Sequence, residues 1–539
     1  MSETRTETEP GTKYVLQEPV RLSQSMLWQL QRRFFERRGH AAWGSHIVPS
    51  YITTNPFIAA AYARVIFGFI RDCARAGAPL GPLDPAQPLY ILELGAGAGR
   101  LAFNLLQSLT ASLAHSCLRN IQIRYILTDL VAKNLDFVST HPALQAWIQA
   151  GLVDFALFDA EHPAPLVLRH SGQVLAPGAV SNPLVLVANY FFDSIPQDAF
   201  YVENGQLNES LLKLTYPQPE PDLDDLDLFR QLTLVYQRQP AAPDYYADPE
   251  LNRLLEMYRR QVDQGAVDFP NVALDALRFF RELARDRLLL ITGDKGYDRP
   301  ENLEGRQEPG YAVHGSFSMM VNYHALGQYF ANGGGQVLRT SYRYTGLNIL
   351  AMLLGAPPDG YAETHQAFFE VIDRQGPDDF FSLAQGIEPY LGGLSLDQFL
   401  SYLRLSGWDS HIFIKCFPTL LDQVGSATER QQDEVRRAVG QLWNHYYYIG
   451  DESDVPFDLG MLLFKIGDHA EALDFFDISL KLFGPAASTY YNQAVCLYRF
   501  DRNQEALDAV NRALEINAEM EQAYRLRAGI RKALGAMNQ

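Results

Sequence analysis

Residues 90–101 read YILELGAGAGRL, with Glu93 followed by Gly95, Gly97 and Gly99 in strict alternation. The apolar run before them has the length and composition of a buried strand. A ligand that approaches a backbone turn closely needs residues without a Cβ. A chain that bends directly after a strand needs φ > 0, and glycine meets both demands. The next segment, RLAFNLLQSLTASLA, has a helical pattern and aims its amide-rich N-terminus at whatever the turn holds. A nucleoside-triphosphate loop would close with Gly-Lys-Ser/Thr, but Arg100 and Leu101 stand there. A dinucleotide turn would space its glycines G-x-G-x-x-G, whereas here they are G-x-G-x-G with a carboxylate two residues upstream.

Further carboxylates stand where apolar runs end. Asp129 closes IRYILTD, Asp159 closes LVDFALFD, Asp193 follows PLVLVANYFF, and Asp294 closes RLLLITGD. A carboxylate after a strand can be a helix N-cap, but open α/β sheets also bind ligands outside the carboxyl ends of their strands. Asp193 is the preferred acid-base or orienting group, with Asn189 and Tyr190 beside it and Asp198 and Asp294 as further candidates. Each could instead be a cap or a solvated loop residue. His314 and His324 flank a Ser/Met-rich segment, yet HExxH and carboxylate-histidine spacings are missing, so they read as structural and no metal is expected. No GxSxG turn suggests a hydrolase.

The elements that must position these groups follow from the same runs. LYILEL (89–94), IRYILTDL (123–130), LVDFALFD (152–159), PLVLVANYFF (183–192) and RLLLITGD (287–294) alternate with helical patterns. This predicts an α/β fold, a doubly wound parallel sheet with helices on both faces. Leu22–Arg38 reads as a docking helix ended by Gly39, and Asn55-Pro56 as the cap and first position of a long apolar helix. The stretch of about 200–287 reads as an insertion: LLKLTY and RQLTLVYQRQ form a hairpin, and PELNRLLEMYRRQV a helix. SLDQFLSYLRLSGWDSHIFIKC reads as helix, Gly turn and strand, closing the α/β unit near Phe417.

In the tail, Ala472 and Ala506 lie 34 residues apart, as do Gly460 and Ala494. That is the tetratricopeptide period, with small residues where two helices cross. The expected layout is a disordered 1–20, an α/β domain over 21–417 and an all-α helical repeat domain over 418–539.

A chain of 539 residues exceeds one ordinary core, and 47% hydrophobic residues suffice for several. The net charge of −18 without a basic run argues against nucleic acid as a partner, and the acidic PEPDLDDLDL reads as a solvated face. Four scattered cysteines without a CxxC pair support neither a zinc framework nor a disulfide scaffold, which fits a reducing compartment. The start lacks an apolar signal core and no stretch approaches a membrane span, so a cytoplasmic protein without a membrane partner is expected.

The pattern E-x-G-x-G-x-G after an apolar strand resembles motif I of the class I methyltransferases that use S-adenosyl-L-methionine. This resemblance implies a Rossmann-like sheet and that cofactor. Gly95, Ala96, Gly97 and Gly99 would cradle its amino-acid part, Glu93 would face its cationic end, Asp129 its ribose hydroxyls and Asp159 its adenine amine. VANYFFDSIP resembles the Asn-Glu-Phe-Phe-Asp-Ala-Leu-Pro segment of the MidA-like family, which includes mitochondrial complex I assembly factors, and would add Asn189 to the cofactor site. SYITTNPFIAAAYARVIFGFI, ITGDKG and SFSMMVNYHALGQYFANGGG resemble further segments of that family, over roughly Ser45 to Arg343. Its members act on protein arginine, but Tyr190 stands where they usually have Glu, Lys295 where they have Tyr, and Asn322 where they have an acid.

The expected activity is therefore methyl transfer to a protein or peptide side chain, arginine nitrogen foremost, with the repeats docking the polypeptide. Two other readings compete: a non-catalytic assembly scaffold that retains the fold, and a natural-product methyltransferase whose pocket the insertion would form. A homodimer is left open.

Overall fold

The apolar runs become neighbouring strands: Leu89–Leu94 (β1), Ile123–Asp129 (β2), Val153–Leu157 (β3), Leu184–Asn189 (β4) and Leu288–Asp294 (β5). With Gln336–Leu338 (β6) and Asn348–Leu354 (β7) they form, among the described residues, a sheet of seven strands in the order β6-β7-β5-β4-β1-β2-β3. β3, β2, β1, β4 and β5 run parallel, whereas β7 lies antiparallel between β5 and β6. β1 and β5 are buried along their whole length because helices cover both faces, which is why they read as unbroken apolar runs. Successive strands leave β1 in opposite directions, so the sheet reverses between β1 and β4, where open α/β folds form their crevice. The register sets Asn189 beside Gly293 and so brings the carboxyl ends of β4 and β5 together.

This computed structural model describes residues 13–44, 47–75, 77–222, 225, 227–344, 346–450 and 452–537. It divides into two compact units, Met1–Ser382 and Leu383–Gln539.

In the first unit, helix Met26–Arg38 (α1) is capped by the Ser25 hydroxyl and stopped by Gly39 at φ +54°. Helix Pro56–Ala74 (α2) starts as expected, with the Asn55 side chain accepting from the Ile58 amide. Helix Arg100–Ala114 (α3) springs from the glycine turn. A second, antiparallel sheet contains Tyr14–Val20, Asp198–Glu203, Gln206–Tyr216, Thr233–Pro240 and Gln264–Phe269. The hairpin expected in the insertion is its Gln206–Tyr216 and Thr233–Pro240 pair, and helix Pro249–Gln261 follows. α1 packs Leu27, Trp28 and Leu30 against Leu212, Leu214, Phe229 and Phe317. Its docking face is thus used within the chain.

Two expectations change. Tyr14–Val20 is a strand on Gln206–Tyr216, not a disordered start; its Pro19 and polar Gln17 and Glu18 hide the alternation of an edge strand. Residues 1–12 of that start, 223, 224 and 226 of the acidic stretch, and Ser45 lie outside the described residues. HIFIKC is not a strand but part of helix Ser410–Val424, inside the second unit rather than at the end of the first. Its buried residues Ile412, Phe413, Cys416, Leu420 and Val424 keep a helical spacing that is visible only past Phe417, and the Asp409 carboxylate caps its start.

The second unit carries the repeat as helix pairs Val455–Lys465 with His469–Phe483 and Ala487–Arg499 with Asn503–Ile516, followed by Glu521–Met537. Ala472, Ala494 and Ala506 are fully buried, and a Cβ on Gly460 would stand 2.8 Å from the Phe476 ring. The small residues mark the helix crossings, as their spacing predicts.

Candidate functional site

Gly95, Gly97 and Gly99 have φ of +69°, +55° and +80°, a region that an L side chain enters only with strain. The Ala96 amide donates to the Thr128 carbonyl at 2.8 Å and ties the turn to β2. A Cβ on Gly97 would meet the Trp43 indole at 3.2 Å, and one on Gly95 the Phe191 ring at 3.1 Å. The close approach that the glycines permit is thus made here by two aromatic rings. Trp43, on the short helix Ala41–Gly44, is stacked on Phe35 of α1.

Asp129 ends β2 with its carboxylate turned to this bend. Oδ2 accepts from the Gly97 amide at 2.9 Å, and Oδ1 accepts from the Val131 amide at 2.8 Å and from Asn134 Nδ2 at 3.1 Å. Burial raises its pKa to about 6 against the pull of these donors. Asn134, itself buried, leaves Oδ1 without a hydrogen-bond partner among the described residues.

Gly95, Asp129 and Asn134 line one open cleft with Phe158, Asp159 and Ala160 after β3 and Tyr190, Phe191, Ser194, Ile195 and Pro196 after β4. α1 and the segment behind it supply Trp28, Gln31, Arg32, Phe35 and Trp43 to the same cleft. Asp159 Oδ1 accepts from the Glu161 amide at 3.0 Å, and Oδ2 accepts from Arg32 Nη2 at 2.8 Å.

Tyr190 has φ +46°, a strained conformation for an aromatic residue, held by its amide donating to the Gly293 carbonyl at 3.1 Å. Burial raises its phenol pKa, so the hydroxyl stays protonated. Directly behind this wall, Asp193 accepts from the Ser194 hydroxyl at 2.7 Å and donates its amide to Asp294 Oδ2 at 3.3 Å. Both carboxyls are buried, at 5% and 0% exposure. Burial pushes both upward; the Ser194 hydroxyl pulls Asp193 back, while the Asp193 charge drives Asp294 further up. Burial and their mutual repulsion thus disfavour both carboxyls being ionised at once.

Other expected residues stand elsewhere. Asn189 does not reach the cleft wall: Oδ1 accepts from the Tyr62 hydroxyl at 2.7 Å and Nδ2 donates to the Thr53 carbonyl at 3.0 Å, which anchors the end of β4 to α2 and to the short helix Tyr51–Thr54 before it. Glu93 lies under the turn, buried, with Oε2 accepting from the Tyr125 hydroxyl at 2.8 Å. Burial raises its pKa to about 8, so at neutral pH it is mostly uncharged and not the exposed anion that a cationic group would need. Of the turn, Gly95 forms cleft wall, while Trp43 covers Gly97. Asp198 is a buried acceptor for the Ser23 amide and the Tyr246 hydroxyl.

Asn322, one of the three family departures, caps helix Tyr323–Asn332 and donates to the Asp268 carbonyl, so it has a structural task. Lys295 is exposed, and Tyr190 is the departure that reaches the cleft. His324 meets the Tyr258 hydroxyl at 2.9 Å and His314 meets the Ser318 hydroxyl at 3.2 Å. Among the described residues, no group of three or more His, Cys, Asp or Glu could hold a metal ion. Among them too, no helix is long and apolar enough to cross a membrane.

Arg32, Trp43 and Asn134 escape a reading of the sequence. The first two lie more than 50 residues ahead of the glycine turn, on or just behind a helix that reads as a partner surface. Asn134 sits five positions after Asp129 in AKNLDF, where a buried amide on the helix face is the available signal.

Residues 80–291 match the family model described as "Putative S-adenosyl-L-methionine-dependent methyltransferase". Residues 453–519 match a tetratricopeptide repeat. No curated protein matches the chain. Similar solved structures include a Burkholderia thailandensis protein bound to S-adenosyl-homocysteine, at 15% identity over 64% of this chain and 90% of that one, with a TM-score of 0.39. A native Burkholderia thailandensis structure is similar at 14% identity over 64% and 90%, with a TM-score of 0.38. Magnesium protoporphyrin IX methyltransferase from Synechocystis, also with S-adenosyl-homocysteine, is 11% identical over 60% and 98%, with a TM-score of 0.26.

Proposed function

We propose that this chain, whose residues 80–291 match the model of putative S-adenosyl-L-methionine-dependent methyltransferases, methylates a protein or peptide side chain, arginine nitrogen foremost, and that its repeat unit recruits the polypeptide. The residues of the cleft fit the cofactor. Gly95 forms part of the wall, Asp129 offers a carboxylate for the ribose hydroxyls, Asn134 a buried acceptor, and Asp159 with Phe158 and Ala160 an adenine slot. When bound, the cofactor supplies a methyl group already activated by its sulfonium. The protein then has to align a nucleophile and receive its proton.

The observation that carries the choice of acceptor is the buried Asp193 and Asp294 pair behind the Tyr190–Pro196 wall. Two close buried carboxyls resist ionising together, and the negative charge that remains, with Lys295 beside it, favours a cationic side chain over a neutral hydroxyl. As the nitrogen gains carbon it must lose a proton, which reaches Asp193 through the Ser194 hydroxyl, a cleft-lining group that donates to it. Tyr190, a neutral phenol on the wall, orients the acceptor, and Asn189 holds the strained end of β4 in place. We further read the chain as working in a reducing cytoplasm, a reading that its four free cysteines support.

Incubating the full chain with methyl-labelled cofactor and a proteome extract tests this. The expected result is a discrete labelled polypeptide that disappears with Asp193→Asn. Label confined to small metabolites would overturn it.

A further inference from the structure

Trp28, Arg32 and Glu161 line two cavities at once: the cleft that holds Gly95 and Asp129, and an outer groove that also contains Ser23, Gln29 and His162. Arg32 is the cationic part of that partition. Its Nη2 donates to Asp159 Oδ2 at 2.8 Å and to Glu161 Oε1 at 3.0 Å, so one nitrogen clips both carboxylates that follow β3. α1 is also fastened at neighbouring positions: Gln31 Nε2 donates to the Phe317 carbonyl at 2.7 Å, and the Trp28 ring packs on Phe317 at 5.2 Å. The helix is thus backed by the Ser316–Met319 strand, and on the cleft side Arg32 ties it to the chain after β3. Asp159 lies in irregular backbone, and its other carboxylate bond is to the amide of its own turn. Without Arg32, Oδ2 would lose its charged partner and be free to turn to water.

We propose that Arg32 is a positioning residue of the cofactor site: it orients Asp159 toward the adenine end of the cleft and pins α1 across that end, so the ion pair opens whenever cofactor or product leaves. The inference rests on the assignment of Asp159 to the adenine end, and Arg32 itself lies outside residues 80–291, which match the family model. The side chains of Arg32 and Asp159 are 34% and 27% exposed, so solvent screens the contact in part. Removing it should raise the dissociation rate of the cofactor product about fivefold, in keeping with a partly exposed ion pair.

The test uses the full chain and S-adenosyl-homocysteine, with stopped-flow dissociation rates at low and high salt. Arg32→Gln should speed dissociation about fivefold at low salt and lose the salt dependence that the wild type shows. It should raise KM for the cofactor while leaving kcat at saturation unchanged, a split that a merely structural role would not produce. Arg32→Lys should recover part of the effect, because one ammonium cannot reproduce the planar fork.

A folded Arg32→Gln with the wild-type rate and salt dependence overturns the inference. If Arg32→Gln does not fold, Arg32→Lys decides, and a rate identical to wild type sinks the proposal. Failure of the wild type to bind S-adenosyl-homocysteine would instead overturn the cofactor reading on which it stands.

Discussion

Replacing Glu93 by Gln removes a titrating group under the glycine turn and keeps an oxygen for the Tyr125 hydroxyl. Glu93 is 3% exposed, and burial raises its pKa from 4.5 to about 8; the Tyr125 hydrogen bond pulls it down and the Asp129 charge pushes it up. A folded pKa above the unfolded one means that the fold prefers the protonated form. The stability from that preference is complete below pH 4.5 and is lost as the pH rises toward 8. At 1.36 kcal/mol per unit, the loss between pH 5 and pH 8 comes to about 3.5 kcal/mol, a factor of several hundred in the folding equilibrium. Glutamine does not titrate, so Glu93→Gln should lack this slope and be the more stable protein at pH 8 by about 3 kcal/mol, after about 1 kcal/mol for an imperfect hydrogen bond. Hydrogen-exchange protection factors of the β1 and β2 amides at both pH values report this unit alone and normalise the intrinsic exchange rate. Parallel profiles for variant and wild type would mean that Glu93 is ionised in the fold, and the burial argument would be wrong.

Asp129, raised to about 6 by burial, should grip a ribose best when ionised. Affinity for S-adenosyl-homocysteine, measured by calorimetry, should therefore rise from pH 5 to pH 7 and then level; Asp129→Asn should bind about 10- to 100-fold more weakly, with a flat profile. If the proposed acceptor chemistry holds, Asp193→Asn and Asp294→Asn should each lower kcat about 100-fold or more while leaving that affinity unchanged, because neither carboxyl lines the cleft that is assigned to the cofactor. In the second unit, Gly460→Val sets a Cβ only 2.8 Å from the Phe476 ring and should destabilise the repeats by about 1–3 kcal/mol, read as an earlier loss of helical circular dichroism on heating.

The main sheet is legible in the sequence because strands covered on both faces leave unbroken apolar runs, and LYILEL and RLLLITGD are buried from end to end. Gly95, Asp129, Asp159 and Tyr190 are legible for a related reason: a crevice forms where the strands end, and motif positions at those ends share it. What covers the crevice leaves no such trace. Arg32 lies on a helix whose apolar stripe states only that it packs somewhere, with Trp43 just behind it, and the partner strand lies about 180 residues away at Leu212 and Leu214. Glu93 and Asn189 show the opposite failure. Their positions along the strands are as expected, but the Tyr125 and Tyr62 hydroxyls, from neighbouring elements, decide where their side chains end. Helix Ser410–Val424 is hidden by β-branched Ile412 and Ile414, a local preference that the buried helical face overrides.

Ultraviolet crosslinking of methyl-labelled S-adenosyl-L-methionine to the full chain, followed by peptide mapping, tests most directly whether the cleft between β1, β2 and β4 is the cofactor site. Label on peptides containing Gly95, Phe158 or Tyr190, competed away by S-adenosyl-homocysteine, is the predicted result. Label on the repeat helices or on Tyr311–Met319, with those three peptides unmarked, would contradict it.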